Sequence, residues 1–371
     1  MLPFTIVSSY NDTTVKRKSS LSKTELYETL REYSHEWESL IRTNSTPLSP
    51  IPTSMSPHLP SLPKIKAVLF DVYGTLLISG SGEVGSAADT KHPTDKGVPP
   101  SGQSETQFDA PPQQDLRPQE LPPQQGLPQQ DLLFFQAFSK AEVQITIPAS
   151  SFNELCTKLY TEAIQQTHRD LKSRGNTYPE VDILEIWHSI WKTLTQREAV
   201  STTLTAYKLI QVAFLYELSS NPTWPMPKAC KTLKTISQGG YSLGIVSNAQ
   251  FYTPYIFSVL CDESLAALGF DRQALVWSYQ LKEAKPSVQL FSSVLSYYHT
   301  DKTIYPEEIL YVGNDMLNDI HTAASAGCKT ALFAGDQRSL RMRKENSLVQ
   351  SDRADAILTD ISQLKHILVL G

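Results

Sequence analysis

The run KAVLFDVYGTL, residues 66–76, carries the reading of the fold. Ala67 to Phe70 form a short apolar stretch that closes on the carboxylate of Asp71. A strand buried on both faces has this character, because every side chain must be apolar until the chain reaches the sheet's edge. Four further runs share it: SLGIVS (242–247), ALVWSY (274–279), ILYVG (309–313) and KTALFA (329–334). Helical stretches at 227–238, 287–299 and 317–326 separate them. Strand–helix alternation with right-handed crossovers predicts an α/β fold, a doubly wound, Rossmann-like parallel sheet. Ligands bind such sheets beyond the carboxyl ends of the strands.

The polar residues of interest stand at those ends. Asp71 leaves the first strand into Val72-Tyr73-Gly74-Thr75, and Ser247-Asn248 closes the second core run. Lys285-Pro286 follows the third run and opens a helix, where proline suits the first turn and the lysine can aim a point charge into a cleft. Gly313-Asn314-Asp315-Met316-Leu317-Asn318-Asp319 follows the fourth. Taken singly, each has a plain structural reading: a turn former, a solvated lysine, acids favoured by a helix N-terminus. Carboxylates facing one another across the sheet also make an all-oxygen site suited to a hard cation such as Mg²⁺.

Taken in order, DVYGTL, VSN, KP and VGNDMLND resemble the four motifs of the haloacid dehalogenase superfamily, over roughly residues 64–80 and 225–362. The helical insert falls where that superfamily places a C1-type cap. The resemblance implies a hydrolase with Asp71 as nucleophile, forming an aspartyl intermediate. Ser247 would hold the transferring group and Lys285 would offset charge between nucleophile and substrate. Tyr73, Thr75 and Asn248 would line the substrate site. Asp71, the Tyr73 carbonyl, Asn314, Asp315 and Asp319 would hold or orient Mg²⁺. The implied substrate is a small phosphorylated metabolite.

Two positions depart from the pattern. Phosphatases of the superfamily usually carry a second aspartate two residues after the nucleophile, where this chain has Tyr73. A phenol with an ordinary pKa near 10 is a poor proton shuttle at neutral pH. The 2-haloacid dehalogenases also have tyrosine there, and a halide leaving group needs no proton. Asn314 stands where the common fourth motif has aspartate, with Asp315 one place later. The acidic pair Asp315 and Asp319 favours a Mg²⁺-dependent phosphatase. A metal-independent dehalogenase is the alternative, and an inactive binding protein that keeps the fold is a third reading.

The rest of the chain divides by composition. Residues 1–63 hold a helix candidate with a possible capping box at Ser22 and Glu25 and then a Pro/Ser-rich linker. Leu26, Leu30, Tyr33, Trp37 and Leu40 draw one apolar stripe, read as packing on the chain's own core or cap. Residues 79–130 are rich in Gly, Ser, Pro and Gln, including PPQQDL, LPPQQGL and LPQQDL, and are expected to be disordered. Residues 131–224 read as a helical cap, leaving 64–78 and 225–371 as the core.

The composition excludes some classes. With 40% apolar and 19% charged residues and a net charge of −5, the chain suits a soluble globular protein, and without a basic block it does not suit a nucleic-acid binder. No apolar run approaches the roughly 20 residues that span a bilayer. The four cysteines are widely spaced, which predicts reduced thiols, no zinc site and a cytoplasmic setting.

Overall fold

A computed structural model describes residues 21–81 and 132–368. Six parallel strands form the main sheet: β1 (Ala67–Phe70), β4 (Ser242–Ser247), β5 (Phe270–Trp277), β6 (Ile309–Gly313), β7 (Lys329–Phe333) and β8 (Ala356–Leu358). The missing numbers belong to a separate two-stranded ribbon, in which β2 (Leu77–Ser79) pairs antiparallel with β3 (Thr223–Pro225). The order across the main sheet is β5-β4-β1-β6-β7-β8. β1 therefore lies at the centre, with β4 on one side and β6 on the other, in register Phe70 to Ile245 and Phe70 to Val312. Chain order reverses at this point, which opens a crevice at the strands' carboxyl ends. All four residues of β1 are buried, as an interior strand requires.

The expected α/β, doubly wound sheet is thus observed, with two differences of detail. The third strand begins at Phe270, before the apolar run that signals it, and Ser278 already starts a short helix. β8 has only three residues, too few to leave a periodic signature.

Helices α3 (Leu133–Lys140), α4 (Ala149–Ser173), α5 (Ile183–Gln196) and α6 (Ala206–Ser220) lie between β2 and β3. α5 begins at Asp182, whose side chain accepts from the Leu184 amide, and α6 begins at Thr205, capping Lys208. Phe134, Phe138, Phe152, Trp187 and Trp191 are buried where these helices meet. The β2–β3 ribbon is where the chain leaves the core and returns to it, so Trp224 and Pro225 shape that return. Of the stretch 79–130, residues 82–130 lie outside the described residues.

The amino-terminal stripe packs on the chain itself. It is two helices, α1 (Lys23–Glu32) and α2 (Ser34–Asn44), with a break at Tyr33 where a single helix was expected. The Ser22 side chain caps α1 by accepting from the Glu25 amide. Trp37 is fully buried and stacks on Phe214 of α6, with ring centroids 5.6 Å apart. α2 also touches α8 (Thr253–Leu260), so the two amino-terminal helices bridge α6 and α8. The following arm runs along the core, the Thr53 hydroxyl donating to the Ala334 carbonyl at 2.6 Å.

The expectation of unpaired cysteines is corrected. Cys230 and Cys261 are joined, with Cα atoms 6.0 Å apart and a sequence separation of 31. Cys230 stands in the first turn of α7 (Ala229–Gln238) and Cys261 just past α8, so helix packing brings together residues whose spacing shows nothing. Cys156 and Cys328 are free and buried. The inference from reduced thiols to compartment therefore loses half its basis. No described helix is long and apolar enough to cross a membrane.

Candidate active site

Asp71 emerges from β1 with its amide still bonded to the Val312 carbonyl of β6, which fixes where its side chain begins. Its Oδ1 accepts from Ser247 Oγ at 2.9 Å and from Lys285 Nζ at 2.7 Å. Both bonds fall on this one oxygen, and among the described residues Oδ2 accepts none. One carboxylate oxygen is clamped and the other is left for a ligand.

Lys285 holds the cluster together. Its ammonium also donates to Asp319 Oδ1 at 2.6 Å and to the Tyr311 hydroxyl at 2.8 Å. Burial alone would lower the lysine's pKa, but Asp319 and Asp71 outweigh it and hold it above its ordinary value. Asn248 sets the loop: its Oδ1 accepts from the Lys285 amide at 2.8 Å. The Lys285-Pro286 bond is cis. Asn248 thus touches the lysine's main chain, while Ser247 touches the central carboxylate directly.

Asp319 lies in a π-helical turn, Met316–His321, after β6. Its Oδ2 accepts from the amides of Asn314 and Asp315, both at 2.9 Å, and its Oδ1 takes Lys285 and Tyr311. Both oxygens are engaged by protein donors. Burial raises its pKa, with Lys285 opposing and the like charges of Asp71 and Asp315 adding to the rise. Asp315 is turned to other work. Its carboxylate caps the turn through the amides of Leu317 and Asn318 and pairs with Arg343, Nη2 lying 2.7 Å from Oδ2.

Asn314 faces the loop that follows β1. Its Oδ1 accepts from Thr75 Oγ1 at 3.0 Å and its Nδ2 donates to the Ser339 carbonyl at 2.6 Å. Gly74 makes the approach possible, with φ +82° and with a Cβ that would fall 2.8 Å from Asn314 Nδ2. Thr75 is fully buried behind this contact and points at Asn314. For a hard cation the uncommitted oxygens are Asp71 Oδ2, the Tyr73 carbonyl and the second lone pair of Asn314 Oδ1. That all-oxygen set fits Mg²⁺, which takes one or two carboxylates and completes its shell with water and phosphate oxygens. Among the described residues no three His, Cys, Asp or Glu side chains gather to hold a metal by themselves.

Tyr73 is buried, and its hydroxyl shares a 3.0 Å hydrogen bond with Thr253 Oγ1. Burial first, and the nearby Glu217 second, raise its pKa well above the ordinary phenol, so it stays protonated at neutral pH. Sequence reasoning missed Tyr311, whose hydroxyl donates to the Val246 carbonyl at 2.7 Å, because an aromatic in a strand reads as core. It also missed Arg343 and Ser339, which lie in a long segment after β7 without any motif. Glu217 had a visible signal, a lone acid in the apolar run LIQVAFLYELSS (209–220).

The segment holding α3–α6 reaches this cluster through the loop before α5. Asn176 Nδ2 donates to the Lys282 carbonyl at 2.7 Å, and the Ala284 amide donates to the Tyr178 carbonyl at 2.7 Å. Gln250, three residues after Ser247, donates to the Val181 carbonyl at 2.9 Å. The loops carrying Ser247 and Lys285 are therefore both tied to the loop before α5.

Fold and cluster together define an α/β protein with a buried carboxylate–lysine cluster at the carboxyl ends of its central strands. A family model described as haloacid dehalogenase-like hydrolase matches residues 65–327, and the chain belongs to that family. It is 29% identical over 147 residues to the glyceraldehyde 3-phosphate phosphatase of Methanothermobacter thermautotrophicus, covering 39% of this chain and 58% of that relative's length. Among solved structures it is similar to a haloacid dehalogenase-family (HAD) phosphatase from Thermococcus onnurineus, with TM-score 0.41, 17% identity, and coverage of 82% of this chain and 97% of the other. A 2-haloacid dehalogenase from Pseudomonas syringae pv. Tomato DC3000 gives TM-score 0.42 and 15% identity, over 82% and 97%.

Proposed function

We propose that the protein is a Mg²⁺-dependent phosphatase acting on a small phosphorylated metabolite through an aspartyl-phosphate at Asp71. The observation that carries this reading is the asymmetry of the Asp71 carboxylate. Oδ1 is held by Ser247 and Lys285 while Oδ2 is free to form a bond. In the first step the Asp71 carboxylate attacks phosphorus and the bond to the leaving oxygen breaks. Lys285 offsets the charge that would otherwise repel carboxylate from phosphoryl group. Ser247 keeps Oδ1 aligned and presents a hydroxyl to the transferring group. Water then attacks phosphorus and Asp71 is released.

Asp71, the Tyr73 carbonyl and Asn314 are the residues that would hold Mg²⁺, which supplies charge neutralisation to the phosphoryl group when bound. In this reading Asp315 and Asp319 act from behind: Asp315 shapes the turn with Arg343, and Asp319 orients Lys285 and the amides of Asn314 and Asp315. Thr75 aligns Asn314, and Asn248 aligns the lysine loop. The phosphatase relative supports this substrate class.

A metal-independent dehalogenase remains the second reading, favoured by one observation: Tyr73 stands where a phosphatase usually has its proton donor. Turnover by the wild type on phosphomonoesters, acyl phosphates and 2-haloacids, with Mg²⁺ and with chelator, separates the two. Phosphate release that chelator abolishes and that falls on the order of 10³-fold or more in Asp71→Asn is the expected result. Halide release indifferent to chelator would overturn it, and ligand binding without any turnover would leave an inactive binding protein.

A further inference from the structure

One buried hydroxyl sits where the segments serving Asp71 converge. Tyr311 is fully buried in β6, in register with Leu69 of β1. Its side chain reaches across β1 to β4, where the hydroxyl meets the Val246 carbonyl at 2.7 Å, one residue before Ser247. The same oxygen lies 2.8 Å from Lys285 Nζ and 3.2 Å from Asp319 Oδ1. The ring packs on Phe291 of the helix Gln289–Lys302, with centroids 5.1 Å apart. Phenylalanine would fill that space equally well, so packing alone does not call for the oxygen. Its polar contacts fall on Lys285, on Asp319 and on the strand end that presents Ser247.

Proton counting gives each bond its direction. An ammonium has three N–H donors. Lys285 has four oxygens around it: Asp319 Oδ1 at 2.6 Å, Asp71 Oδ1 at 2.7 Å, the Tyr311 hydroxyl at 2.8 Å and the Val246 carbonyl at 3.4 Å. The three short contacts take the three protons. The phenol has one proton, and Val246 at 2.7 Å takes it ahead of Asp319 at 3.2 Å. Burial, followed by the charges of Asp319 and Asp71, raises the phenol's pKa well above its ordinary value, so that proton stays in place. The Tyr311 oxygen therefore turns a lone pair to Lys285, as the only neutral acceptor among the three short ones.

We propose that Tyr311 is a positioning residue of the reaction, which keeps the Lys285 ammonium on Asp71 Oδ1 by accepting its third proton and occupying the Val246 carbonyl. The effect on turnover rests on the phosphatase reading; the hold on the lysine does not. Without the hydroxyl, the Val246 carbonyl loses its donor and one lysine N–H loses its acceptor. Both groups are buried, and leaving either unpaired is costly. They then close the 3.4 Å gap between them, which draws the ammonium off Asp71. The charge that would repel carboxylate from phosphoryl group is offset less well, and the chemical step slows while substrate binding is little altered.

The test compares wild type with Tyr311→Phe, which removes the oxygen and keeps the ring, and with Phe291→Leu, which loosens the ring's packing and keeps the oxygen. Turnover of p-nitrophenyl phosphate with Mg²⁺ is measured beside heteronuclear NMR of the lysine ammonium groups. Lys285 is the one buried lysine among the described residues, so its ammonium is the one whose protons exchange slowly with water. Expected for Tyr311→Phe is a fall in kcat of about 10-fold or more with KM changed by less than about 2-fold, together with loss or strong broadening of that signal. Phe291→Leu should melt lower, yet keep the signal and hold kcat within about 2-fold of wild type. A Tyr311→Phe protein that keeps kcat, or that keeps the signal, would overturn the proposal. So would a Phe291→Leu protein that loses as much kcat as Tyr311→Phe, since packing would then account for the loss. Should Tyr311→Phe fail to fold, Tyr311 is replaced by a fluorotyrosine with the halogen beside the hydroxyl, a weaker acceptor. A displaced ammonium signal is then expected, and an unmoved one overturns the proposal. A wild type that releases no phosphate, beside a signal that Tyr311→Phe removes, would sink the phosphatase reading and support the hold on Lys285.

Discussion

At the scale of single residues, Lys285 concentrates the electrostatics of the site. Its ammonium is in contact with two buried carboxylates and a buried phenol. Removing it would leave Asp71 and Asp319 without their common cation. Lys285→Ala should therefore lower stability by about 3–5 kcal/mol, as expected when one partner of a buried pair is removed, and should abolish turnover. Urea unfolding of the two proteins checks the first claim. A loss below about 1 kcal/mol would mean that solvent already screens the cluster. Asp71, Ser247 and Lys285 were legible because each ends or follows an apolar run. Their engagement with one another was not, since it depends on the order β5-β4-β1-β6, which no local pattern contains. The roles of Asp315 and Asn314 were unreadable for a similar reason. Which of two adjacent side chains faces a cleft depends on the turn between them, and here Arg343 draws Asp315 aside.

At the scale of elements, the loop after β1 and the turn after β6 fit together through Gly74. Its positive φ and the absence of a Cβ let Asn314 and Ser339 close against it. A methyl group there would fall 2.6 Å from Ser339 Cβ. Gly74→Ala should therefore cost more than about 1 kcal/mol and should weaken the apparent affinity for Mg²⁺ as Asn314 is displaced. Titration of activity against Mg²⁺ checks this, and an unchanged midpoint would count against Asn314 as a ligand. Elements with a long apolar period, such as α4 and α5, were visible in the sequence. The break at Tyr33 and the three-residue strands β2, β3 and β8 were not, because tertiary pairing creates them more than any residue preference does.

At the scale of the whole molecule, the amino-terminal helices fasten two parts that the sequence presents as separate. Trp37 is enclosed by Tyr207 and Phe214 of α6, while α2 leans on α8. Trp37→Ala should cost about 3–5 kcal/mol, typical for an enclosed aromatic. It should also speed hydrogen exchange along α6 more than along β1 and β6. Exchange followed by mass spectrometry would detect the difference, and equal acceleration everywhere would mean that the helices stabilise the fold without bridging it. The disulfide between Cys230 and Cys261 joins the same neighbourhood from the core side, a contact that spacing along the chain had no means of announcing.

The loop before α5 grips both the Lys282–Ala284 stretch and Gln250. Whatever shifts the α3–α6 segment must also tug on the loops that carry Ser247 and Lys285. Under the proposed mechanism affinity and turnover are then geared to one another, and remodelling that segment for a new substrate would make the rate constant drift until compensating changes arose in the sheet beneath.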